Sequence, residues 1–128
     1  MMSAVLDEHL GIVRSVSIGF TADDEVQTYA DQMLAFKSAA KRKSKPFLHL
    51  VDARHAQVHS KEAAAVLNAL AAEWHDPKDR TAVIVESSLQ KMQMNRTSTQ
   101  AGAFGSEEAA LQWLLDPNAV VLERVRAT

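Results

Sequence analysis

Phe47-Leu48-His49-Leu50-Val51-Asp52 is almost uninterrupted in its apolar content, and it runs on into Ala53-Arg54-His55-Ala56-Gln57-Val58-His59-Ser60-Lys61-Glu62-Ala63. A short apolar run without alternation is the pattern of a strand covered on both faces. Pro46 separates it from what precedes, because proline cannot continue a helix. Residues 53–59 read as a seven-residue connection. Ser60 then reads as the N-cap of a helix whose apolar stripe is Ala63, Val66, Leu67, Leu70, Ala71 and Trp74. His75-Asp76-Pro77 ends that helix, and Thr81-Ala82-Val83-Ile84-Val85-Glu86 repeats the buried-strand pattern. Strand, crossover helix and strand make the unit of a parallel sheet.

The rest of the chain extends this unit on both sides. Upstream, Ser3-Ala4-Val5-Leu6, the polar break Asp7-Glu8-His9, Gly11 and the run Ile12 to Phe20 predict a β-hairpin. In its second strand Val16, Ile18 and Phe20 alternate with Ser15, Ser17 and Gly19, so one face is apolar and the other small or polar. Gly19 stands where a missing side chain permits a bulge or a close backbone approach. Thr21 is expected to cap the longest helix, with Asp23, Asp24 and Glu25 at the positive end of its dipole. Val26, Tyr29, Ala30, Met33 and Ala40 share a face, with Phe36 alongside. Lys37, Lys41, Arg42, Lys43 and Lys45 read as a solvated helix end that the dipole favours.

Downstream, Ser87 or Ser88 heads a weaker helix through Leu89 and Met92, and residues 95–100 form a polar loop. Met92 and Met94, two positions apart, cannot share a helical face. Ala101-Gly102-Ala103-Phe104 reads as a short edge strand. Ser106 caps a final helix with Ala110, Trp113 and Leu114 inward, stopped by Pro117. The order is β-β-α-β-α-β-α-β-α, an α/β fold with a central mixed sheet covered by helices. It forms a single domain over residues 1–128, with its core at about 3–116 and a tail at 117–128.

Composition removes several classes of function. With no cysteine there is neither a thiol nucleophile nor a Cys-ligated metal site. Fourteen Lys+Arg against sixteen Asp+Glu give a net charge of −2, which is not the footprint of a nucleic-acid binder. No apolar run approaches the roughly 18–20 residues that span a bilayer, and the N-terminus lacks the pattern of a secretory leader. The expected location is cytoplasmic.

The leading hairpin, the long helix, the buried strand ending in Asp52 and the loop into a serine-capped helix together resemble the STAS domain. This is the SpoIIAA-like fold of the anti-sigma-factor antagonists. The strand Arg80-Thr81-Ala82-Val83-Ile84-Val85 and the closing Phe104-Gly105-Ser106-Glu107-Glu108-Ala109-Ala110-Leu111-Gln112-Trp113-Leu114 resemble those of small bacterial STAS-like proteins. The resemblance implies a non-enzymatic regulatory or interaction module with a protein partner. Antagonist members carry an Asp-Ser-Ser/Thr-Gly signature whose serine is phosphorylated. By that resemblance Asp52 matches the strand-end aspartate, and Ser60 is the candidate phosphosite. Here His59 precedes the serine and no glycine follows it.

Read from the residues alone, Ser60 is first an N-cap. His49 and Asp52, an odd number apart on a strand, point to opposite faces, so His55 and His59 are left as two loop ligands and no metal site is expected. Asp52, Arg54, His55, Glu86, Ser87 and Ser88 lie beyond the carboxyl ends of the central strands, where open α/β sheets bind ligands. Asp52, Arg54, His55, His59, Ser60, Ser87 and Ser88 are therefore the candidate partner- or ligand-binding residues. The alternative to binding there is that Asp52 and Arg54 pair with each other or satisfy loop backbone. No Gly-x-Ser-x-Gly elbow or Gly-rich phosphate loop occurs, so no catalytic residue and no cofactor is assigned.

Two further readings remain open at this stage. One is a small-molecule or lipid carrier using a pocket between sheet and helices, which a closed, mostly apolar cavity of at least about 300 Å³ would support. The other is an enzyme using His55 or His59 as general base. A homodimer through the hairpin edge or residues 119–125 is a further expectation, since unpaired edges invite pairing.

Overall fold

The computed structural model describes residues 1–56, 60–71, 76–86 and 100–116. The N-terminal hairpin pairs β1 (Met2–Asp7) with β2 (Ile12–Gly19) antiparallel. Its turn is closed by the Asp7 carboxylate, which accepts from the Leu10 amide at 3.1 Å, and by Gly11 at φ +70°. That left-handed conformation is one that glycine adopts without steric cost. The strands β3 (Leu48–Ala56), β4 (Arg80–Ile84) and β5 (Ala101–Phe104) follow in parallel, in the order β1-β2-β3-β4-β5. The sheet is mixed, as the sequence pattern predicts.

Each parallel strand lies beside its predecessor, so right-handed crossovers carry the connecting helices to the same side. Helix α1 (Asp23–Arg42) and helix α2 (Lys61–Ala71) occupy that side. Tyr29, Met33, Leu67 and Leu70 pack there with Val13 and Phe47. Helix α3 (Glu107–Leu115) covers the other face. Its Ala110 and Leu114 close over Ile12, Leu50, Ala82 and Ile84. Ser106 caps α3 by accepting from the Ala109 amide at 3.2 Å. At the far end, the Arg80 guanidinium donates to the carbonyls of Trp113 and Asp116, groups that a helix C-terminus leaves without internal partners.

Four features differ from the sequence-based expectations. Strand β3 does not end at Asp52 but runs to Ala56, so Arg54 and His55 lie on a strand rather than in a loop. The reason is β2, which extends far enough to pair Ile18 with His55 and Gly19 with Ala56 after a register shift past Val16–Asp52. Two β3 residues, Ala53 and Arg54, thus stand opposite Ser17 alone, which is a bulge. Second, the alternation in β2 runs opposite to its hydropathy. Ser15 and Ser17 are 6% and 3% exposed, whereas Ile18 is 45% exposed. The small residues make room for α1, while α3 packs over β3, β4 and β5 and leaves the Ile18 side open. Third, Ala22 rather than Thr21 stands at the N-cap of α1, without a side-chain cap bond, and Thr21 is buried at the junction. Fourth, Lys37 is not part of a solvated helix end: it is buried, its ammonium donating to the Leu70 carbonyl at 2.7 Å. The helix predicted from Ser87 or Ser88 through Met92, and the tail from 117, lie outside the described residues. Among the described residues no helix is long and apolar enough to cross a membrane.

Candidate functional site

The structure brings Asp52, Arg54 and His55 together at the end of β3, on the side of α3. Arg54 donates to both carboxylate oxygens of Asp52, at 3.0 and 2.8 Å, and its amide donates to the same carboxylate at 3.2 Å. These side-chain bonds hold the Asp52 carboxyl below the usual carboxylate range, with a smaller contribution from His55. The same ion pair holds the Arg54 guanidinium above its ordinary value, with Glu107 and Glu86 adding weaker attraction. Nearby, Arg14 bridges Asp7 at 3.1 Å and Glu107 at 3.0 Å, placing a cation against the acidic first turn of α3. This end of the sheet is a partly exposed network of mutually satisfied charges. Among the described residues no three histidine or carboxylate side chains converge as a metal-ligand set.

Ser60 lies in the other layer. Its hydroxyl accepts from the Ala63 amide at 3.0 Å, capping α2, and donates to Asp23 at 2.7 Å, tying α2 to the first turn of α1. A phosphate on this oxygen would forfeit the donated bond and press against a carboxylate. Ser60→Ala is expected to lower stability by about 1 kcal/mol through loss of the cap. A thermal melt that does not shift would contradict the role given to this hydroxyl. His59, Ser87 and Ser88 lie outside the described residues.

The hollow on which the carrier reading depends is lined by residues that the sequence did not single out as a site. A cavity of about 270 Å³, partly open to solvent and so not the closed one expected, lies between the sheet and helices α1 and α2. Strands β2 and β3 contribute Ser17, His49, Val51 and Ala53, and β4 contributes Thr81 and Val83. Helix α1 supplies Tyr29, Met33 and Lys37, and α2 supplies Leu67 and Leu70. A second hollow of about 220 Å³ lies between the hairpin turn and the end of α1, with Glu8, Lys43 and Lys45 among its lining residues.

Three polar groups meet at the wall of the main cavity. Ser15 Oγ lies 2.6 Å from His49 Nε2, and the Tyr29 hydroxyl lies 3.1 Å from that nitrogen while donating to Ser15 at 2.9 Å. Burial pushes the His49 imidazole down to about 3, with the positive charge of Lys37 adding to the effect. Burial likewise pushes the Tyr29 phenol up to about 12, against the hydrogen bond to Ser15. All three groups are therefore neutral near pH 7. A serine beside an imidazole superficially suggests a nucleophile and its base, but Ser15 is 6% exposed and is not among the residues lining the cavity. The usable signal in the sequence was a histidine inside an apolar strand and a tyrosine on an apolar helix face. Two polar rings on buried faces need partners, and the serines of β2 were the small polar residues available.

No protein-family model matches the chain, and no curated protein matches it. Among solved structures it is similar to an uncharacterised protein of the DUF3478 family, with a SpoIIAA-like fold, from Shewanella loihica. The two are 18% identical, with a TM-score of 0.65 over 89% of this chain and 92% of that one. At that identity the likeness is one of fold. The chain has the SpoIIAA-like fold that its element order suggested.

Proposed function

We propose that this SpoIIAA-like domain is a recognition module without covalent chemistry of its own, and that it binds a small, mostly apolar molecule between the sheet and helices α1 and α2. The cavity carries this reading: about 270 Å³ lined chiefly by Met33, Val51, Leu67, Leu70, Val83 and alanines. That is close to the lower bound of ordinary ligand pockets, roughly 300 Å³, and so suits a ligand smaller than a drug-sized one. A non-enzymatic role is supported by the state of the titratable groups. His49 is neutral, buried and already engaged with Ser15 and Tyr29, and Asp52 is committed to Arg54. His55 is exposed at the end of β3, where a general base would need a reacting group within hydrogen-bond reach. A regulatory output fits this arrangement, because the walls of the cavity are the same two helices that Ser60 and Asp23 hold together.

Native mass spectrometry of the freshly purified full chain tests the proposal together with a cavity-filling variant. The expected result is a non-covalent adduct on the wild-type protein that Ala53→Leu removes while the protein stays folded. Absence of any adduct, combined with failure of small apolar probes to raise the melting temperature, would overturn it.

A further inference from the structure

The cavity wall holds one fully buried polar atom for which the fold provides nothing. Ser17 lines it and is 3% exposed, and its Oγ has no hydrogen-bond partner. Among the described residues it is the one buried side-chain oxygen or nitrogen left in that condition. Buried hydroxyls are nearly always partnered, because a hydroxyl stripped of water and given nothing in return costs free energy. Ser15, two residues earlier on the same face of β2, shows the contrast, being fully engaged by His49 and Tyr29.

Its surroundings decide what kind of group Ser17 can receive. Ser17 pairs with Met2 across the hairpin and stands opposite the bulge in β3, where Ala53 and Ala56 line the cavity. This end is apolar. The ammonium of Lys37 belongs to the other end, 5.6 Å from the centre of the Phe47 ring. A carboxylate beside Ser17 would lose its water among Met2, Ala53 and Ala56, while Lys37 is committed to the Leu70 carbonyl and the N-terminal ammonium to Glu25, which makes it a poor occupant. A neutral oxygen has no such penalty, and a serine hydroxyl can donate to it or accept from it. Size follows from volume. An apolar cavity of about 150 Å³ holds benzene, so this one takes about ten non-hydrogen atoms.

We infer that the ligand is a small neutral amphiphile, an alcohol or ketone of that size, whose single oxygen hydrogen-bonds to Ser17 while its hydrocarbon body fills the space beneath α1 and α2. This rests on the ligand-binding reading above.

The test is calorimetric titration of the full chain at pH 8 with three probes of matched shape: methylcyclohexane, cyclohexylmethanol and cyclohexanecarboxylate. The alcohol is expected to bind the wild-type protein about fivefold more tightly than the hydrocarbon, the value of one net hydrogen bond. Ser17→Ala is expected to bring the alcohol to or below the affinity of the hydrocarbon, since its hydroxyl is then desolvated without a partner, and to leave the hydrocarbon unchanged. The ligand-free variant is expected to melt no lower than wild type, since it loses an unpartnered hydroxyl. Alcohol affinity equal in both proteins, or tightest binding by the carboxylate, would overturn the role of Ser17 while the cavity remained a binding site. Failure of all three probes to bind the wild-type chain would overturn both.

Discussion

Asp79→Ala is expected to lower the stability of the domain by about 3 kcal/mol, a large fraction of the roughly 5–15 kcal/mol typical of a single domain. Asp79 is fully buried, at 0% exposure. One carboxylate oxygen accepts from the Phe47 amide at 2.7 Å, and the other from the Asp76 amide at 3.3 Å. It therefore pins the entry to β3 and the turn before β4 with a single side chain. Alanine removes both acceptors and leaves the Phe47 amide buried without a partner, and unmade buried bonds cost more than made ones contribute. Asp79→Asn retains one oxygen and is expected to recover part of the loss. Chemical denaturation measures both variants. An alanine variant within about 0.5 kcal/mol of wild type, the range of ordinary surface changes, would show that the two amides find other partners.

Stability is also expected to fall as pH is lowered from about 6.5 toward 3, because His49 binds its proton in the unfolded chain over that range and not in the folded one. Its ordinary value is 6.5, and burial beside Lys37 lowers it to about 3. The unfolded state thus gains roughly 1.4 kcal/mol per pH unit across the window, and the loss is complete only below the folded value. Asp7 and Asp52 are held below the carboxylate value of 3.8, so their contributions are present above it and are lost only further into acid. Between pH 7 and pH 5 the imidazole dominates this comparison, with an expected loss of about 2 kcal/mol. His49→Phe should flatten the profile in that interval. Identical pH profiles for the two proteins would remove His49 from the explanation.

Much of the architecture was legible because local chemistry and long-range packing agreed. Ser60 and Ser106 cap the helices they were expected to cap, and the two apolar runs became neighbouring parallel strands. Misreadings arose where a distant element set the outcome. Strand β3 continues beyond Asp52 only because β2 is long enough to pair with His55 and Ala56, and nothing in Ala53-Arg54-His55-Ala56 announces that. The serines of β2 look solvent-facing until Tyr29 arrives from α1. Lys37 looks like any helix-end lysine until Leu70 supplies a carbonyl beneath it. The charged residues beyond the central strands were visible by type and position, and Asp52 pairs with Arg54. The cavity was not visible, since empty space is a property of how helices stand off a sheet and leaves no mark in residue order.

The strand order has a bearing on how the chain acquires its shape during synthesis. Among the described residues every strand of the sheet sits beside the one made just before it, and none must be inserted between two that are already joined. A ribosome delivering the polypeptide from its amino end therefore supplies each new strand with a finished edge to bind. Assembly can keep pace with translation, and the pairing that slows many sheet proteins, between segments far apart in the chain, is held to one crossover at a time.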